Sequence, residues 1–406
     1  KFIKNTFIIF FILIIFTSKG FSQKSIIIFK TDYSNNYMNY AIYDLIIKNI
    51  FLYSNLKIIN SHSNYSSYNK IKSQIKKITI NNNANISIAY QIQNFKNGIL
   101  INYIIFDNEK PNEWIEKSAY SKEEDLFISI NKILKDIYEI SKIKNKITYI
   151  KEKDYISLLG YYSQKIILTN NEDNIYKLFY DFHKDNIYFN IDYLEYLTDK
   201  SDRTSVDIIN DLIKNMQNYI NKKKNHYYLY SLGCMHYGKY KVNVILSDIE
   251  ASIENYNKAL KLKNNYYKYY YRLANAYILK NDYDNAIKYY EEAIKLNEYD
   301  INIIKEFVSL LKRDINKNGN EVISYLKKII EINKNDEEAL EEISKLYEKI
   351  GDYDNALIYY NKLFEVINYN LYIINNETKD ADAYDRYIFK RNSIKLNIES
   401  LNKKIF

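Results

Sequence analysis

Three kinds of apolar spacing follow one another along the chain. Phe7–Phe16 is an unbroken apolar run behind Lys1 and Lys4. Residues 24–141 alternate short β-branched runs with one-sided stripes, and from about residue 155 apolar positions recur at three- and four-residue steps. Short β-branched runs bounded by polar residues predict buried strands, whereas the 3.6-residue step predicts helices. Ser25–Phe29 and Leu56–Ile59 are therefore expected as strands, with helices over Tyr37–Tyr53 and Tyr68–Lys77. Ile86–Phe95 and Ile99–Phe106 flank Asn97-Gly98, a turn pair that accepts positive φ and so predicts a hairpin. Trp114–Tyr120 follows as a strand. Glu123–Ile140 closes the region as a helix with Leu126, Ile130, Ile133, Leu134 and Ile137 on one stripe.

The helical part carries a 34-residue period. Within Tyr267–Asp300 the framework reads Tyr270, Leu273, Ala274 and Tyr277, then Ala286, Tyr290 and Ala293. The same spacing recurs over Glu337–Asn370, as Leu340, Ile343, Ser344, Tyr347, Gly351, Ala356, Tyr360 and Leu363. The word Asp-Tyr-Asp-Asn-Ala occurs at 282–286 and again at 352–356. That separation is two periods plus two residues, so a repeat with a short insertion is expected over 301–336. A further unit fits 226–266, with extra residues near Lys239–Leu246. These spacings resemble the tetratricopeptide (TPR) repeat, a helix pair that cannot bury its apolar face alone and must stack. Asn297, Asn333 and Gly351 are expected to make the turns in left-handed conformation. Tyr155–Asn225 reads as helical and as decayed repeats, and Ala383–Lys404 as a capping helix.

The first folded region has its own resemblance. Ala84–Gln93, Gly98–Asp107, Trp114 and Asp125-Leu-Phe127 resemble the strand, hairpin, Trp strand and Asp-Leu-Phe helix of the TolB amino-terminal-like family. That resemblance implies a non-catalytic envelope domain over 24–141. The expected fold is mainly α: a TPR-type helical solenoid preceded by a small α/β domain and a signal peptide. Its expected parts are a signal peptide (1–22), the α/β domain (24–141), degenerate helices (150–225), four repeats (226–266, 267–300, 301–336, 337–370), and a loop with a capping helix (371–406).

Composition narrows the chemistry. With 7 Gly and 1 Pro, glycine-rich phosphate loops have little to be built from, and one Cys leaves no intrachain disulfide. No P-loop, dinucleotide fingerprint, zincin or Cys-x-x-Cys motif is present, so neither enzyme activity nor a cofactor or metal is expected. Cys234 falls inside a repeat helix and is expected to be a buried structural thiol. The formal net charge is +8, and the first 100 residues, with 12 Lys against 2 Asp, carry +10, leaving the rest slightly acidic. No nucleic-acid motif accompanies it, and nucleic-acid binding is not expected. Lys70, Lys72, Lys76 and Lys77 cluster on the second predicted helix, as a solvated face or a contact with an anionic membrane. The amino-terminal run is shorter than the ~20 residues a spanning helix needs, and Gly20 and Ser22 suit a cleavage site. Export to the periplasm or cell envelope of a bacterium is therefore expected, with an uncleaved anchor as the alternative.

The TPR resemblance implies a concave groove lined by the first helix of each pair. The residues it would place there are Tyr230, Lys268, Tyr271, Asn275, Ile278, Lys312, Arg313 and Lys345. The expected function is a non-enzymatic scaffold holding a peptide or protein with apolar anchors and an acidic portion. The alternative is an envelope component that acts through the α/β domain, with the repeats as a spacer.

Overall fold

The computed structural model describes residues 24–29, 37–54, 56–60, 68–81, 84–95, 98–110, 114–122, 125–142, 186–200, 202–216, 225–378 and 380–405, with single positions 150, 158, 161, 176, 179 and 180. The expected signal segment lies outside them. The chain forms two compact units that divide between Lys280 and Asn281, inside the stretch 267–300.

Unit 1 begins with a mixed five-stranded sheet. The strands are β1 (Ser25–Phe29), β2 (Lys57–Asn60), β3 (Ile86–Phe95), β4 (Gly98–Asp107) and β5 (Trp114–Ser121), in the order β2-β1-β3-β4-β5. β1 pairs in parallel with β2 and β3, and β3, β4 and β5 run antiparallel. All five residues of β1 are buried, which is why it reads as a continuous apolar run rather than an alternating one. Phe95 pairs with Gly98 where the Asn-Gly hairpin is expected. A Cβ at Gly98 would lie 2.5 Å from the Tyr120 hydroxyl and 2.7 Å from the Ser121 carbonyl, so glycine is required by close approach.

Three helices cover the sheet: α1 (Tyr37–Tyr53), α2 (Tyr68–Asn81) and α3 (Leu126–Ile140). α2 inserts Ile71, Ile75 and Ile78 over Ile27, Phe29, Ala89, Ile104 and Phe106. Its outer lysines include Lys76 and Lys77, both exposed, and Lys72, paired with Glu116 at 2.6 Å. α1 and α3 meet where the Tyr138 hydroxyl donates to Asn49 at 3.0 Å. The Tyr103 hydroxyl and Lys117 both reach Asp136 of α3, at 2.6 and 2.7 Å.

The unit continues through α4 (Ile187–Lys200), α5 (Arg203–Met216), α6 (His226–Asn243), α7 (Leu246–Leu262) and α8 (Tyr267–Leu279). α6 has 18 residues against 13 in α8, so the extra residues near Lys239–Leu246 lengthen a helix rather than a loop. α6 and α7 cross at Gly233, where an added Cβ would fall 2.4 Å from the Tyr256 ring. Ala274 holds the matching place in the next repeat, because only a small residue lets a large neighbouring side chain lie flat on the helix.

Unit 2 holds α9 (Tyr283–Leu296), α10 (Ile301–Leu311), α11 (Ile315–Ile332), α12 (Glu337–Lys349), α13 (Tyr353–Ile373) and α14 (Ala381–Ile405). The shared Asp-Tyr-Asp-Asn-Ala word is a helix start. Asp282 accepts from the Asn285 backbone N–H at 3.2 Å and from its side-chain amide at 2.8 Å, and Asp352 does the same with Asn355 at 3.2 and 2.7 Å. This side-chain exchange satisfies orphan donors at the first turn. The turns themselves need correcting. Gly351 is left-handed as expected (φ 81°), and Asn281 fills its place 70 residues earlier with φ 60°. Asn297 is not left-handed: its φ is −142°, and its backbone N–H bonds to the Ala293 carbonyl. Asn333 is not among the positive-φ residues either, and its N–H closes on Ile329. Left-handed geometry thus marks the bend within a helix pair, and negative φ marks Asn297, which ends its pair.

Candidate functional site

The eight expected groove residues fall into two groups. Tyr230, Lys268, Tyr271, Asn275 and Ile278 belong to unit 1, and Lys312, Arg313 and Lys345 to unit 2.

In unit 1 a carboxylate of α4 meets two of the expected residues, Tyr230 and Lys268. α4 carries Asp192, Glu195 and Asp199 at helical spacing, hence on neighbouring positions of one face. Arg272 of α8 donates to Glu195 at 2.9 Å and to Asp199 at 2.5 Å, while Lys268 approaches Glu195 at 3.6 Å. The Tyr230 hydroxyl donates to the other Glu195 oxygen at 2.5 Å. Burial alone would raise the Glu195 pKa, but Lys268 and Arg272, helped by the Tyr230 hydrogen bond, bring it below the usual carboxylate range. Burial works against charge on Lys268 too, and Glu195 reverses it, so the ammonium is held well above its ordinary value. Tyr230 is fully buried. Tyr230 is thus enclosed in an ion cluster rather than facing an open groove, while Lys268, whose side chain is 29% exposed, stands at the edge of that cluster. Tyr271, Asn275 and Ile278 are half-buried, and Arg272 lies over the Tyr271 ring at 5.3 Å.

The end of α1 sits in the same neighbourhood. Phe51 is 3% exposed and stacks among Tyr266 (4.2 Å between centroids), His226 (5.2 Å), Tyr227 (6.0 Å) and Tyr269 (6.2 Å). Lys263 donates to the Phe51 carbonyl at 2.5 Å and to the Ser54 carbonyl at 2.9 Å, so a cation caps the last turn of α1. Nearby, Lys48 joins Asp44 and Asp192 at 2.6 and 2.9 Å and donates to the Tyr188 carbonyl. Nothing local in the sequence marks Lys263 or Glu195, since their partners are distant along the chain.

This junction sets a pH dependence. Burial pushes the Lys263 ammonium down to about 7 and the His226 imidazolium down to about 3. Both folded values lie below the unfolded ones, so the unfolded chain binds more protons and stability rises with pH. The windows are about pH 3–6.5 for His226 and about pH 7–10.5 for Lys263. Urea midpoints of the full chain should climb from pH 7 to 9.5, and Lys263→Met should flatten that climb. An equal slope in the variant would remove Lys263 as its source.

Cys234 is buried, and burial pushes its thiol up to about 11, the opposite of nucleophilic activation. Among the described residues no cluster of His, Cys, Asp or Glu could hold a metal, and no helix is long and apolar enough to cross a membrane.

Unit 2 presents an open cleft of about 390 Å³ between α11 and α12. Its floor is Val322, Leu326 and Leu346, and its rim is Lys312, Lys345, Lys349 and Glu342. A narrower recess of about 90 Å³ shares Lys312, Leu326 and Glu342 and extends toward Lys305 and Val308. Lys312 pairs with Glu342, and Lys345 with Glu341, both at 2.5 Å. Lys349 makes no ion pair among the described residues. The structure thus brings Lys312 and Lys345 together. Arg313 stands apart, stacked on Tyr283 at 4.2 Å. Glu342 and Leu346 are not among the expected residues, although Glu342 lies one turn before Lys345 and Leu346 directly follows it.

Two stretches, residues 267–300 and 337–370, match family models described as tetratricopeptide repeat. The chain carries TPR repeats there, within a mainly helical fold behind a small sheet domain. Among solved structures it is similar to a crystal structure of MamA, at 22% identity and TM-score 0.32, covering 40% of this chain and 91% of that one. A second MamA structure aligns at 20% identity and TM-score 0.33, covering 49% and 96%. YrrB, described as a TPR protein with an unusual peptide-binding site, aligns at 18% identity and TM-score 0.29, covering 50% and 91%. No curated protein matches the chain.

Proposed function

We propose that the chain is a non-enzymatic protein-interaction scaffold whose working surface is the cleft of unit 2. The observation that carries this reading is an apolar floor inside a rim of three lysines and one glutamate. Apolar anchors can fill the floor, and carboxylates can meet the rim, most directly Lys349. The occupant is therefore an apolar peptide segment bearing acidic residues. The TPR repeats support this class, since stacked helix pairs hold extended segments against their faces. We also read residues 1–22 as a secretory signal cut after Ser22, which would put the scaffold in the periplasm or envelope of a bacterium. The α/β domain, with its TolB amino-terminal-like pattern, would then be an envelope module, and exposed Lys76 and Lys77 would suit an acidic lipid surface.

Fluorescence anisotropy tests the cleft, using labelled peptides with two leucine anchors followed by either four aspartates or four lysines. The full chain should hold the acidic peptide at least 10-fold more tightly, and Lys345→Glu/Lys349→Glu should remove that preference. Equal binding of both peptides, or an unaffected double variant, would refute the assignment.

A further inference from the structure

We infer that the outer face of α14 is a self-association surface, on which a second copy of this chain docks antiparallel. α14 is held to unit 2 by one face only. Ile394 and Leu401 are its buried residues. Tyr387 and Lys390 reach Glu337 at 2.7 Å each, and Lys404 reaches Glu348 at 3.1 Å. The opposite face carries Phe389 and Leu396, which are 78% and 65% exposed. Two large apolar side chains this exposed, one heptad apart, form an unpartnered seam.

The charges along that seam identify the occupant. Asp382, Phe389, Leu396 and Lys403 recur at seven-residue steps, giving acid, apolar, apolar, base. All four are exposed, and neither Asp382 nor Lys403 forms an ion pair among the described residues. Reversing this order and opposing it to itself sets Phe389 against Leu396 and Asp382 against Lys403, twice over. A parallel copy would instead face Asp382 with Asp382 and Lys403 with Lys403. Isologous contacts require this kind of self-complementarity. The two-fold axis would pass between Asn392 and Ser393, both exposed polar residues that permit close approach. An anionic membrane is a poor alternative, because the seam begins with an acid and exposed Asp385 adds a second.

The seam spans about 32 Å at the helical rise. One helix pair buries less than the ~800 Å² per partner of a standard interface, so the dimer should dissociate at about 10–100 μM. Sedimentation equilibrium of the full chain over that range should show a monomer–dimer equilibrium. Phe389→Glu/Leu396→Glu, exposed positions that leave the fold alone, should give monomer throughout. Asp382→Lys should weaken association at least 5-fold, and Asp382→Lys/Lys403→Asp should restore it. Ser393→Cys should cross-link to its own copy on oxidation, with buried Cys234 contributing no background. A chain that stays monomeric, or a dimer indifferent to the charge swap and to Ser393→Cys, would overturn the proposal.

Discussion

Glu195→Gln should destabilise unit 1 by about 3–5 kcal/mol, the usual cost of removing one partner from a buried ion cluster. The carboxylate receives Tyr230, Arg272 and Lys268 together, and Arg272 is 2% exposed. Without it, Arg272 keeps only Asp199, whose side chain is 63% exposed, and Lys268 loses its counter-charge. Asp199→Asn should accordingly cost under about 1 kcal/mol, as a solvent-facing pair does. The cluster is imperfectly satisfied, since Arg272 Nε is buried without a hydrogen bond. Glu195→Leu combined with Lys268→Met and Arg272→Met should therefore be far milder than Glu195→Gln alone. Denaturant midpoints of the three variants decide the matter. A loss below 1 kcal/mol for Glu195→Gln would mean that water reaches the cluster and that the charges are not truly buried.

Phe51→Ala is expected to cost about as much, roughly 3–5 kcal/mol for truncating a buried aromatic. Its ring is surrounded by Tyr266, His226, Tyr227 and Tyr269, and Lys263 lies 4.9 Å from its centroid. The substitution opens a cavity where α1 meets α6 and α8, and leaves the buried Lys263 amine facing it. Amide hydrogen exchange should quicken at the first turns of α6 and α8 as well as at the end of α1. Faster exchange confined to α1 would show that the repeats hold together without it.

The elements of the fold were largely legible, and the reasons are local. The five strands and the first two helices of unit 1 lie within a few residues of their expected spans, because β-branched runs and the Asn-Gly turn encode them. The repeated Asp-Tyr-Asp-Asn-Ala word was visible as a period, and its capping chemistry explains why the letters repeat. Errors began where geometry is not local. Asn297 and Asn333 do follow helix ends as expected, yet the left-handed backbone they could tolerate occurs instead at Asn281 and, as expected, at Gly351. Tyr230 occupies a groove position in the repeat pattern, but that pattern carries no information on the Glu195 carboxylate that encloses it. Glu195 sits in a helix whose own repeat signature has decayed. Lys312 and Lys345 line one cleft, although only Lys345 lies in a stretch that matches the repeat model and the unit of Lys312 is degenerate.

The capping of α1 by Lys263 also has a cost in time. Phe51 and Lys263 are 212 residues apart. At ~5–20 residues per second of synthesis, about 10–40 s pass between the appearance of α1 and that of its cap. Throughout that interval the carbonyls of Phe51 and Ser54 lack their donor, and Phe51 lacks Tyr266 and Tyr269, with His226 and Tyr227 arriving only near its end. The sheet domain is made first but finished late, and the newborn chain must keep an apolar helix end out of trouble until the repeat helices arrive.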